Sequence, residues 1–126
     1  MASIKRTNKA DESLTILTVS GILTIEEVIH AFENFIKHDV TPYLLWDFTD
    51  ADLSQITQKG MEQIIAYAKS KAHLRKNGRT ALVVRQDLSF GVSRMYEILS
   101  EISEHPIAHY VFRDMDKALT WLKTGE

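Results

Sequence analysis

Three aspartates, Asp47, Asp50 and Asp52, fall at the end of an apolar run near the middle of the chain. Carboxylates at that spacing suit a hard cation such as Mg²⁺, which takes oxygen ligands. They equally suit a turn, because aspartate side chains bond to nearby backbone. Two hydroxyls follow, Ser54 and Thr57. A phosphate on Thr57 would meet the positive end of a helix dipole; an unmodified Thr57 is simply a helix N-cap. Further on, Phe90-Gly91 precedes Arg94. This combination offers an aromatic to bury, a glycine that lets another backbone come close, and a cation. A staple packing Phe90 onto its own helix is the plainer alternative.

Much other chemistry is excluded. The chain has no cysteine, so disulfides, thiolate metal sites and cysteine nucleophiles are ruled out. His30, His38, His73, His105 and His109 show no metal-ligand spacing and read as solvated side chains. No serine sits in a Gly-x-Ser-x-Gly elbow, and no glycine-rich phosphate loop occurs. With no nucleophile, base or cofactor motif, we expect binding rather than catalysis, without a metal or cofactor. A metal-dependent or hydrolytic enzyme using the three aspartates is the remaining enzymatic alternative.

The elements that must position these residues follow from periodicity. Ile4–Lys9 and Leu14–Val19 read as a hairpin around Ala10-Asp11-Glu12, with Lys5, Arg6 and Lys9 guarding an edge. Thr24 and Glu27 have capping-box spacing. Ile25, Val28, Ile29, Phe32, Phe35 and Ile36 then form one helical stripe. Tyr43–Phe48 reads as a strand buried on both faces, as in a parallel sheet. Residues 49–56 read as a polar loop, and Thr57 as the cap of a second helix ended by Asn77-Gly78. Thr80–Val84 is another buried strand. A third helix is expected from Asp87 to Glu104, with Val92, Met95, Tyr96, Leu99 and Ile102 inward, before His105-Pro106 breaks it. Ala108–Phe112 is a last strand, and Asp114 caps a final helix. The order β-β-α-β-α-β-α-β-α implies an α/β fold, a mostly parallel sheet with an N-terminal hairpin and four helices. Residues 1–126 are expected to form one domain.

Bulk properties agree. The chain has 126 residues, 44% hydrophobic and 25% charged, near the globular average. Its net charge of −2 gives no electrostatic footprint for nucleic acid. The basic stretch Lys69, Lys71, His73, Arg75, Lys76 and Arg79 reads as a solvated helix end favoured by the macrodipole. No apolar run has the ~20 residues needed to span a bilayer. The N-terminus lacks the apolar stretch of a signal peptide, so the cytoplasm is the expected location.

Several local strings also resemble a known group. These are Pro42 with Leu45-Trp46-Asp47, Phe90-Gly91 with Arg94-Met95-Tyr96-Glu97, Val111-Phe112-Arg113-Asp114, and Ala118-Leu119 with Trp121-Leu122. Together with the element order, they resemble the STAS superfamily, the SpoIIAA-like fold of anti-sigma-factor antagonists, and a small bacterial subgroup of it. That subgroup is also similar to CRAL-TRIO-like lipid-binding domains. The resemblance implies either a protein-interaction switch or a pocket for an apolar ligand. In the antagonists a strand ends in Asp, which Asp47 matches, and an Asp-Ser-Ser-Gly-like string carries the phosphate-accepting Ser. Here the corresponding stretch reads Ser54-Gln55-Ile56-Thr57-Gln58-Lys59-Gly60, without that string. The expected function is therefore a regulatory binding module that meets a protein partner through residues 49–57 and the helix start near Phe90. A small carrier or sensor of an apolar ligand is the alternative, and a homodimer is compatible with either.

Overall fold

The computed structural model describes residues 2–126. Five strands form one sheet in the order β1-β2-β3-β4-β5. They are β1 (Ser3–Lys9), β2 (Leu14–Ile22), β3 (Tyr43–Asp52), β4 (Arg79–Val83) and β5 (Ala108–Phe112). β1 and β2 pair antiparallel, and every later pairing is parallel. The helices are α1 (Ile25–Lys37), α2 (Gln58–Ser70), α3 (Asp87–Ile102) and α4 (Met115–Thr124). No helix among the described residues is long and apolar enough to cross a membrane.

Two separate cores divide the sheet. On one face Leu44, Trp46, Phe48, Leu82, Val84 and Val111 meet α1 and α2. On the other, Leu14, Leu45, Ala81 and Val83 meet Ala118 and Leu122 of α4. Neighbouring strand residues such as Leu44 and Leu45 thus enter different cores, which is why β3 and β4 read as continuous apolar runs. Helix starts follow the sequence signals. Thr24 and Glu27 make both halves of a capping box, and the Thr57 and Asp114 side chains accept from the amides of Gly60 and Lys117. Gly60 matters at a close approach: a Cβ there would collide with the Ile25 side chain of α1.

α2 ends at Ser70, well short of Asn77-Gly78, and a separate 3-10 turn at Ala72–Arg75 fills the interval. Two further expectations about the elements are corrected. β3 does not stop at Phe48 but runs to Asp52, and β2 runs on to Ile22 beside it. Thr18 pairs with Asp47 and Ser20 with Asp50, so Phe48 and Thr49 oppose the single residue Val19. This bulge re-aims the strand. It returns Ala51 to the core beyond a polar stretch that reads as loop.

The last correction is the facing of α3. Its buried residues are Ser89, Ser93, Glu97 and Ser100. Met95 and Ile102, expected inward, are exposed, whereas Val92, Tyr96 and Leu99 are half-buried. The small serines let the helix lie close to the sheet. Glu97 faces inward because β5 is an edge strand whose Val111 amide needs an acceptor: Glu97 Oε1 takes it at 3.2 Å.

Candidate functional site

Parallel pairing places the carboxyl ends of β3, β4 and β5 at one end of the sheet. In open α/β sheets this is the end that holds ligands. Asp50 emerges there from β3 and pairs with Arg85, just beyond β4, at 3.3 Å. Asp87, in the first turn of α3, pairs with Arg113, just beyond β5, at 3.0 Å. The Arg113 guanidinium also lies 4.5 Å from the centre of the Phe90 ring. The edge therefore carries two exposed ion pairs, and the cation of one of them, Arg113, lies over an aromatic. Both pairs are exposed, so each is worth little to folding, at most about 1 kcal/mol. A partner's charges can exchange with them at small cost.

The remaining residues singled out in the sequence are used locally. Asp47 Oδ1 accepts from the Thr49 amide at 3.1 Å and its hydroxyl at 2.8 Å. Asp52 accepts from the Ser54 amide at 2.9 Å. Hydrogen bonds from the Ser54 side chain and amide hold the Asp52 carboxyl below its ordinary pKa, so it is ionised at neutral pH. Thr57 Oγ1 accepts from the Gly60 amide at 3.0 Å, the N-cap role. The three aspartates do not converge, and among the described residues no group of three His, Asp or Glu side chains is placed to hold a metal. Phe90 is half-buried against the core, Gly91 is exposed, and Arg94 pairs with the buried Glu97. Arg94 therefore ties down an inward carboxylate, a structural duty in addition to any contact outward. Asp50 and Asp52 lie in a strand, so the loop carries fewer of the candidates than the sequence suggests: only residues 53–57 leave the sheet before α2.

A second region, between the sheet and helices α2 and α3, was not legible in the sequence. A cavity of about 60 Å³ lies there, walled by apolar residues that include Trp46, Phe48 and Leu82. Its polar wall is Arg75, Thr80, Ser93, Tyr96 and His109. Arg75 is only 3% exposed, which corrects its reading as part of a solvated helix end. Its guanidinium donates to the carbonyls of Thr41, Pro42 and Arg79 and to Thr80 Oγ1, at 3.0–3.1 Å. It also packs 5.3 Å from the Phe35 ring centre. With no carboxylate beside it, burial pulls its pKa down to about 10, still charged at neutral pH. Burial also raises the Tyr96 hydroxyl. The Ser93 hydroxyl is buried without a partner.

Two histidines border this region and are not solvated, contrary to expectation. The His105 and His109 rings lie 4.7 Å apart, and Tyr96 meets His109 edge-on at 5.4 Å. His105 Nδ1 accepts from the Ile107 amide at 3.1 Å, and His109 Nδ1 lies 2.8 Å from the Ile107 carbonyl. Burial, followed by the charges of Arg75 and Lys69, lowers His105 to about 4. Burial, followed by His105, lowers His109 to about 3. Both rings are neutral at pH 7.

No protein-family model matches this sequence, and no curated protein matches it. Solved structures do match in three dimensions. One is a protein of the DUF3478 family from Shewanella loihica PV-4, described as having a SpoIIAA-like fold. It is 21% identical over 96% of this chain and 93% of that one, with a TM-score of 0.60. Another is an anti-sigma factor antagonist from Mycobacterium paratuberculosis. It is 18% identical over 97% of this chain and 94% of that one, with a TM-score of 0.58. The expected architecture is therefore the observed one: this chain has a SpoIIAA-like fold.

Proposed function

We propose that this chain is a non-catalytic regulatory module that binds a protein partner at the carboxyl end of its sheet. The observation that carries the reading is the two exposed ion pairs there, Asp50–Arg85 and Asp87–Arg113, with Arg113 stacked over Phe90. An aromatic beside exchangeable ion pairs is the anatomy of a docking edge, with a buried anchor and a polar rim. The likeness in fold to an anti-sigma factor antagonist supports a partner that is itself a protein. Thr57 already spends its hydroxyl on capping α2, so control by a phosphate at Ser54 or Thr57 is not part of the proposal. Phosphopeptide mapping that found high occupancy at either residue would reinstate it.

Affinity capture with the full chain as bait, beside an Arg85→Glu bait, tests the edge. The substitution sets two acidic groups against each other on an exposed surface and should move stability by less than about 0.5 kcal/mol. A partner held by the parent and lost on the variant is expected. Equal retention of every captured protein by both baits sinks the reading.

The cavity favours a second reading, a binder of an apolar ligand with a polar head. Its observation is the Ser93 hydroxyl, unpartnered in an apolar chamber that also holds the Arg75 guanidinium. At about 60 Å³ the chamber admits a few atoms, so a longer ligand requires α3 to lift from the sheet. Native mass spectrometry of chain purified from its own host decides between the two. A stoichiometric added small mass supports the carrier, and its absence with a retained protein supports the docking module.

A further inference from the structure

An apolar stripe runs along the outward side of α3. Leu88, Met95, Ile98 and Ile102 are 55, 44, 43 and 73% exposed. With the exposed Gly91 they stand at positions 88, 91, 95, 98 and 102, an alternating spacing of three and four residues. That is the a/d spacing of a helix that pairs with another helix. A lone surface helix normally turns its largest apolar stripe toward the core, yet here the fully buried positions are serines and Glu97, with Phe90, Val92 and Tyr96 half-buried beside them.

The flanks of the stripe indicate which helix it fits. Arg94 and Glu101 lie along one side, and Val92 and Leu99 along the other. If a second α3 is laid antiparallel, with Met95 against Ile98 of the second copy, Arg94 comes opposite Glu101 and Val92 opposite Leu99. Ile102, the most exposed of the stripe, then meets Gly91, where a built Cβ would touch nothing within 4 Å. Small therefore faces large, and plus faces minus. The parallel arrangement does the opposite: it sets Gly91 against Gly91, leaving a void, and brings Arg94 toward Leu99. Arg94 has donors to spare, since a guanidinium offers five and Glu97 takes part of them.

We propose that α3 is a self-association helix, through which two copies of this chain pair antiparallel about a two-fold axis. Such an axis makes each contact occur twice, as an isologous interface requires. α3 has 16 residues, about 24 Å of helix at 1.5 Å per residue. A single helix pair of that length is a small interface, so the dimer is a weak, reversible one.

Sedimentation of the full chain across a concentration series tests this. A monomer–dimer equilibrium is expected, weakened about tenfold or more by Ile102→Glu, with the melting temperature little changed. Orientation is read separately, because the chain has no cysteine of its own. Met95→Cys and Ile98→Cys single variants, mixed and mildly oxidised, should cross-link to each other faster than either does to itself. Dominant 95-to-95 cross-links, a monomer persisting to about 1 mM, or an Ile102→Glu variant that dimerises as well as the parent would each overturn the proposal. So would a chain that stays monomeric but floats with anionic phospholipid vesicles unless Ile102 is replaced, which would give the face to a lipid surface.

Discussion

Helices α1 and α3 cover the same face of the sheet and present it with opposite chemistry. α1 buries Val28, Phe32, Phe35 and Ile36 and shows solvent its charges. α3 buries Ser89, Ser93, Glu97 and Ser100 and shows solvent Leu88, Met95, Ile98 and Ile102. α1 crosses between β2 and β3, each flanked by strands on both sides. α3 leads into β5, an edge with an amide to satisfy. The comparison teaches that a helix face is chosen by what the neighbouring backbone lacks as well as by apolar area. With serines and Glu97 in its deepest positions, α3 leaves its exposed apolar stripe for use outside the molecule.

Substitutions can break or sharpen this contrast. Phe35, on α1, is fully buried with Arg75 over its ring, so Phe35→Ala should destabilise most, by about 3–5 kcal/mol in chemical denaturation. On α3 the corresponding inward position is Glu97. Glu97→Ala strands the Val111 amide and releases Arg94, and should cost about 1–3 kcal/mol. If Glu97→Ala proved neutral while Glu97→Leu stabilised, α3 would obey the same rule as α1. The cap of α1 is worth less: Thr24→Ala should lower stability by about 1 kcal/mol. Smallest of all, Ile102→Ser on the outer face should shift dilute, monomeric chain by less than about 0.5 kcal/mol.

The histidines at the end of α3 add a pH signature that α1 lacks. Their folded pKa values, about 4 and about 3, lie below the ordinary 6.5. The unfolded chain therefore binds more protons than the folded one between those values. Stability must then fall as pH drops from 6.5 toward 4, before most carboxylates titrate. A His109→Gln variant should flatten that limb when melting temperature is followed against pH. An unchanged slope would show that His109 titrates alike in both states.

Much of this was readable beforehand because it is local. The hairpin, the buried strands at 43–48 and 80–84, and the caps at Thr24, Thr57 and Asp114 depend on neighbours a few residues away. What escaped depends on distant partners. The second half of β3 looks like loop because Thr49, Asp50 and Asp52 are polar, and only pairing with Ser20–Ile22 makes it strand. Arg75 reads as one basic residue among six, and its acceptors at Thr41 and Pro42 lie over thirty residues back. Of the candidate site, the sequence pointed to Asp50 and Phe90 but not to Arg85 and Arg113, the cations beside them.

Arg75 also divides the sheet into ends that should breathe differently. Its donors stitch the amino-terminal starts of β3 and β4 together from inside the protein, away from water and salt. Beyond the ladder at their opposite ends, those strands are clasped by the Asp50–Arg85 ion pair, which is open to solvent. Amide hydrogen exchange should therefore run as a gradient along each strand, fastest near Asp50 and slowest near Leu44. Raising the ionic strength should steepen it, loosening the clasp while leaving the stitch untouched. A partner arriving at the charged end would meet the part of the sheet that is already free to adapt.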